Sequence, residues 1–214
     1  MAPPRPRLLI WTGPGHSGKT TAATQLAEWA RGEGFPVAGI LAPAVYDGDV
    51  LIGFDALDIH TMAGVPLARR KPARPAGRNQ TGRVRPDGRA DAGQENKKQH
   101  LCCAEGGERA GPFAFTAQGL EFGNAVLNST AARLAALLII DEFGPLELRG
   151  GGWRQAADSL IPEAQGVVLL VVRKELAAQV GELYSTCCPQ VLSALQPDSI
   201  QKVQHLIRQL CKRF

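Results

Sequence analysis

No long apolar run occurs in this sequence. A run such as Gly166 to Val172 is strand-sized and falls well short of the roughly 18 residues that a membrane-crossing helix needs. The opening Met1-Ala2-Pro3-Pro4-Arg5-Pro6-Arg7 carries neither the hydrophobic stretch nor the cleavage site of a secretory signal. A cytoplasmic protein with no membrane partner is expected. Cysteine is also scarce. Its five residues fall as Cys102-Cys103, Cys187-Cys188 and Cys211, and an odd count in adjacent pairs makes no disulfide framework. The C-x₂-C spacing of common zinc sites is missing, so free thiols are expected rather than zinc held by His100 and the cysteine pairs.

A net positive charge is lacking everywhere but in one stretch. The net charge is +4, yet residues 69–98 hold ten Lys/Arg against three acids, so the remainder carries −3. Residues 71–110 are rich in Arg, Gly and Pro and poor in large apolar side chains. Such a composition buries too little surface to offset the entropy of ordering. No aromatic residue interrupts the basic stretch to stack a base, which weighs against a nucleic-acid arm. The expectation is one domain over residues 1–214, carrying a disordered basic insertion at about 71–110.

What is present starts with Gly13-Pro14-Gly15-His16-Ser17-Gly18-Lys19-Thr20, which fits G-x-x-x-x-G-K-[ST], the phosphate-binding P-loop. Its setting matters as much as its letters. Leu8-Leu9-Ile10-Trp11 precedes it and reads as a buried strand. A helical pattern with Leu26, Trp29 and Ala30 on one face follows it. Glycines let backbone N–H groups wrap closely round phosphates at a helix N-terminus. Lys19 is positioned to reach the β- and γ-phosphates, and the Thr20 hydroxyl to ligate Mg²⁺. The loop's work is done by backbone, so the His16 side chain is expected to face solvent.

Further strands are expected at Val37–Leu41, Leu137–Ile140 and Gly166–Val172, with a short one at Val191-Leu192. Tyr46-Asp47-Gly48-Asp49 is a turn signal leading into a return strand, Val50 to Leu57, so a β-hairpin follows the P-loop helix. Asp55 and Asp58 read as surface or turn residues. Helices are expected over 117–134, 153–161, 173–180 and 199–212. Strands apolar throughout, alternating with helices, describe an α/β fold of three layers: a mostly parallel sheet with helices on both faces.

Leu138-Ile139-Ile140-Asp141-Glu142 supplies a second half of the site: an apolar strand ending in two acids, the Walker B pattern. An Asp there reaches the Mg²⁺ shell at the carboxyl edge, where open α/β sheets bind ligands. The following Glu polarises a water for attack on the γ-phosphate. Arg173, directly after the third apolar strand, lies at the same edge and is a candidate for stabilising transition-state charge. The Asp-Glu pair favours hydrolysis over a kinase reaction on a small molecule or nucleotide. A non-enzymatic nucleotide-loaded adaptor is the third reading. Asn96-Lys97-Lys98-Gln99 lacks the Asp of the guanine-reading N-K-x-D motif, so broad base selectivity is expected.

Three stretches together resemble the THEP-type nucleoside triphosphatases, small P-loop enzymes of the RecA/AAA-like branch. They are Gly13 to Thr21, the hairpin region from Val37 to Asp55 with Pro66-Leu67-Ala68-Arg69, and Ile140-Asp141-Glu142-Phe143-Gly144-Pro145-Leu146-Glu147-Leu148. The last is similar to the family's D-E-[IF]-G-[PK]-[ML]-E-L and is much narrower than a generic Walker B. The resemblance implies Mg²⁺-dependent hydrolysis of nucleoside triphosphates to diphosphate and phosphate. It implies nucleotide binding by Gly13, Pro14, Gly15, His16, Ser17, Gly18, Lys19, Thr20 and Thr21. It implies Mg²⁺ held by Thr20 and Asp141, and catalysis by Lys19, Glu142 and Arg173. Two features depart from the family: the longer, more basic 71–110 stretch, and Gly111-Pro112-Phe113 where a Gly-Lys-Tyr entry is usual.

Overall fold

The apolar runs expected to be buried strands lie side by side in the middle of one sheet. The computed structural model describes residues 7–15, 17–71, 109–110 and 112–211. The expected insertion therefore falls almost wholly outside the described residues, as do His16, His100, Cys102 and Cys103. In chain order the elements are β1 (Arg7–Gly13), α1 (Lys19–Gly32), β2 (Val37–Leu41), β3 (Ala44–Asp47), β4 (Val50–Asp58) and β5 (Gly64–Arg70). Then come β6 (Arg109–Ala110), β7 (Phe113–Phe115), α2 (Ala117–Leu127), α3 (Thr130–Leu134), β8 (Leu137–Ile140) and α4 (Pro145–Leu148). The last are α5 (Arg154–Leu160), β9 (Val167–Arg173), α6 (Ala177–Leu183), β10 (Gln190–Ser193) and α7 (Ser199–Cys211).

The sheet runs β10-β1-β9-β8-β2-β4-β5-β7-β6, with β3 folded onto β4. Its first five strands are mutually parallel. Alternate residues of each central strand feed opposite layers. Leu8, Ile10, Leu138, Ile140, Val168 and Leu170 face the layer that includes Leu127, Ala157, Leu160 and Val180. Leu9, Trp11, Leu137, Ile139, Val167 and Leu169 face Leu26, Ala30, Val203 and Ile207 of α1 and α7. Both faces are dry, which is why these strands are apolar at every position. Each such side chain contributes about 1.5–3 kcal/mol on leaving water. The parallel core fixes one carboxyl edge, and β1, β8 and β9 deliver the P-loop, Asp141-Glu142 and Arg173 to it.

Beyond β2 the sheet turns antiparallel. The Asp47-Gly48-Asp49 turn joins β3 to β4, with Gly48 at φ 57°, a value that favours glycine. The hairpin expected from this turn is present, and its first arm is Ala44–Asp47. Val37–Leu41 instead belongs to the parallel core beside β8. Sequence reading also missed β5. Pro66 in its middle and the charged Arg69-Arg70 at its end argue against a strand. The structure accommodates Pro66 at a register shift, opposite Asp55.

The helix expected over 117–134 is two helices. Ser129 ends the first path and starts the second: its hydroxyl accepts the Ala132 N–H at 3.2 Å, capping α3. The helix expected from Arg173 begins later. Arg173 is the last residue of β9; one 3₁₀ turn, Lys174–Leu176, then leads into α6. Asp58 ends β4 at the edge of the turn and is not a surface residue. It is buried, and its carboxylate accepts the His60 N–H at 2.9 Å and the Thr61 hydroxyl at 2.6 Å. Asp55 pairs with Arg69 across β4 and β5 at 2.5 Å.

Candidate active site

The chain must leave β1 and enter α1 within a few residues, and Gly18 makes this turn. Its φ of 81° is left-handed, a region that an L side chain rarely adopts. The helix starts at Lys19, so its first N–H groups open onto the loop between Gly13 and Gly18. Ser17 Oγ is buried in this loop with no hydrogen-bond partner among the described residues. Buried hydroxyls without partners are costly, so a ligand with acceptor oxygens is the natural complement.

Lys19 is 8% exposed, and its ammonium donates to the Pro14 carbonyl at 2.7 Å. The loop's own carbonyl thus holds the charge where it faces the cavity. Burial pulls its pKa below the ordinary 10.5, while the charges of Glu142 and Asp141 oppose that pull.

Asp141 is fully buried just past β8. Its Oδ2 accepts the Ala42 N–H at 3.0 Å and its Oδ1 the Glu142 N–H at 2.9 Å. The nearby Thr20 hydroxyl favours the ionised form of the same carboxylate. Burial, and next the Glu142 charge, still push its pKa up to about 7. A buried carboxylate that resists ionisation beside a threonine hydroxyl is a fitting partner for a hard cation. Mg²⁺ characteristically takes one or two protein ligands and completes its shell with water and phosphate oxygens. Thr20 and Asp141 meet that description. Among the described residues no cluster of three or more His, Cys, Asp or Glu is placed to hold a metal, and Cys187, Cys188 and Cys211 are free thiols.

Glu142 follows in an unusual conformation. Its φ is 55°, left-handed for a residue with a Cβ. Such a conformation costs of order 1–3 kcal/mol and persists only where neighbours enforce it. Two bonds do so: the Glu142 N–H to Asp141, and the Phe143 N–H to the Val171 carbonyl at 3.1 Å. The turn sends the Glu142 side chain back over the carboxyl edge. Arg173 Nη2 stands 3.5 Å from its Oε2, and both groups are partly exposed. A pair so open to water contributes little to stability, which leaves both groups available to a ligand.

Glu147 went unrecognised as a supporting group. It is 3% exposed; its Oε2 accepts the Gly144 N–H at 2.9 Å and its Oε1 the Trp153 N–H at 3.3 Å. The carboxylate thereby clamps the turn that carries Glu142 onto α5. The signal was present in the Glu147 of the Pro145-to-Leu148 string, but spacing alone does not reveal a buried clamp. Glu147→Ala orphans buried N–H groups, and we expect a loss of roughly 3 kcal/mol in urea unfolding.

Lys19, Thr20, Glu142 and Arg173 line a single cavity of about 780 Å³, together with Gly15, Ser17, Gly18 and Thr21. Its outer part is bounded by Tyr46, Leu51, Phe54 and Phe113, none of them singled out as site residues from sequence. Asp141 lies beneath the cavity floor, bonded to the wall residue Ala42. Gly13 and Pro14, also expected to bind nucleotide, are not among the residues that line this opening. His16 lies outside the described residues.

Comparison with known proteins bears on the family and the fold. The family model described as NTPase matches residues 8–203. Among solved structures, a human cancer-related nucleoside triphosphatase superposes with a TM-score of 0.60 at 21% identity, covering 97% of this chain and 96% of that one. THEP1 from the hyperthermophile Aquifex aeolicus gives 0.58 at 14% identity, covering 94% of this chain and 98% of that one. At such identities the likeness is one of fold. No curated protein matches the chain in sequence. Among the described residues, no helix is long and apolar enough to cross a membrane. With the family model spanning both the P-loop and Asp141-Glu142, the chain belongs to the NTPase family of THEP1-like P-loop proteins.

Proposed function

We propose that this chain hydrolyses Mg²⁺-bound nucleoside 5′-triphosphates to the diphosphate and phosphate, with broad base selectivity. The observation that carries this reading is the left-handed Glu142, which overhangs the same cavity as Lys19 and Thr20. The amides between Gly13 and Thr21 and the start of α1 attract the phosphate chain. The Lys19 ammonium neutralises charge on the β- and γ-phosphates. Thr20 and Asp141 would hold Mg²⁺, which when bound neutralises charge on the β- and γ-phosphate oxygens. Glu142 orients a water and accepts its proton as oxygen attacks phosphorus. Arg173, released from its weak contact with Glu142, adds positive charge beside the transferring group.

Measuring phosphate release from ATP, GTP, CTP and UTP tests this directly. Release from all four, abolished when a chelator removes Mg²⁺, is the expected result. Release from none, or release indifferent to the chelator, contradicts it.

A further inference from the structure

The cavity is larger than a triphosphate chain requires. At about 780 Å³ it lies within the range of roughly 300–1,000 Å³ that encloses a whole drug-sized ligand. Its floor ends at Lys19, Thr20 and Glu142. From there it continues past Ala42, Pro43 and Ala44 to the β3–β4 hairpin. That outer wall has a consistent chemistry. Phe54 and Phe113 meet edge to face, with ring centroids 5.2 Å apart and planes at 66°, which fixes their orientation. Leu51 continues the apolar surface, and Tyr46 stands at the rim, 54% exposed. Among the described residues Tyr46 makes no ring-to-ring contact, which leaves its face open at the mouth of the cavity.

The facing wall is polar. It is the outer side of α1, where Thr24, Gln25 and Glu28 line the same space. The Thr24 hydroxyl is already used on the Thr20 carbonyl at 2.9 Å. Gln25 offers an amide that both donates and accepts, so it satisfies the edge of any base. An aromatic surface opposed by adaptable polar groups is how a site holds a flat heterocycle without choosing among heterocycles.

We propose that this outer compartment is the nucleobase subsite. The base stacks on the wall of Tyr46, Phe54 and Phe113, with Gln25 and Glu28 at its edge. The inference rests on the nucleoside triphosphate reading above and deepens it: broad selectivity follows from stacking, which every base supports. It also links recognition to chemistry. The hairpin starts two residues after Ala42, whose N–H holds Asp141, so a base seated on the hairpin braces the segment that orders the buried carboxylate.

Calorimetric titration of the intact chain with Mg²⁺ and either β,γ-imido-ATP or tripolyphosphate decides the matter. Tripolyphosphate supplies the triphosphate chain without the nucleoside. In Tyr46→Ala and Phe54→Leu, nucleotide affinity is expected to fall about tenfold each, while tripolyphosphate affinity is unchanged. Tyr46→Phe is expected to keep wild-type affinity. Tyr46 is at the surface, so its variants report on stacking even where Phe54→Leu disturbs packing. Unchanged nucleotide affinity in Tyr46→Ala, or an equal loss for tripolyphosphate, overturns the proposal. So does transfer of labelled γ-phosphate to added nucleoside, because the wall is then an acceptor site. Phosphate release is read separately: its absence sinks the hydrolase reading, and the contrast between nucleotide and tripolyphosphate still decides the base subsite.

Discussion

Glu142→Gln will bind nucleotide as wild type does and release phosphate about 10²–10⁴-fold more slowly, the usual worth of a positioned general base. The amide keeps the size of the carboxylate but cannot take a proton from water. Binding survives because the phosphates are held by other groups: the loop amides, Lys19 and Thr20. The unusual backbone at φ 55° is enforced by bonds from the Glu142 and Phe143 N–H groups, which the substitution leaves in place. Single-turnover phosphate release beside equilibrium binding separates the two effects. A rate within a few-fold of wild type (about a kcal/mol of barrier or less) removes Glu142 from the chemistry. A loss of binding instead of rate makes it a ligand for the nucleotide.

Lys19→Ala is expected to lose both binding and turnover, with kcat/KM falling on the order of 10³-fold. Without the ammonium, the charge gathered on the leaving β-phosphate has no positive side chain in the loop to meet it. The fold itself should not suffer. Burial makes the cation unfavourable in the ligand-free protein, since its pKa is lowered relative to the unfolded chain. The sign follows: between the lowered value and 10.5 the unfolded chain binds the extra proton, so this group's contribution to stability grows as pH rises through that window. Below the window the buried charge is a cost, and alanine removes it. Urea midpoints at neutral pH should therefore be equal to wild type or higher. A lowered midpoint accompanying the lost activity would mean that the variant reports on folding.

Much of this is legible in the amino-acid sequence. Leu8–Trp11, Leu137–Ile140 and Gly166–Val172 are apolar at every position, and only a strand covered on both faces tolerates that. The Gly-rich loop and Asp141-Glu142 were readable for a related reason: few backbone geometries suit phosphate, so the residue types are narrow. What could not be read depends on pairing across distance. β5 was hidden by Pro66, whose ring is acceptable only because the ladder shifts register opposite Asp55. The break at Ser129 was hidden inside a continuous helical pattern, because a capping hydroxyl looks the same as a surface one until its partner is known. Asp58 and Glu147 looked like ordinary acids, yet each is buried because donors converge on it: a backbone N–H and a hydroxyl on Asp58, two backbone N–H groups on Glu147. The wall of Tyr46, Phe54 and Phe113 had no local signal at all. Phe113 lies on the far side of the 71–110 stretch from Phe54, and only the pairing of β4, β5 and β7 brings the two rings together.

The central claim is that water, oriented by Glu142, attacks the γ-phosphorus of a bound nucleoside triphosphate. Running the reaction in ¹⁸O-labelled water and weighing both products tests it most directly. The account predicts one labelled oxygen in the inorganic phosphate and none in the nucleoside diphosphate. Label in the diphosphate, or a γ-phosphoryl group recovered on another molecule with no labelled phosphate formed, would contradict it.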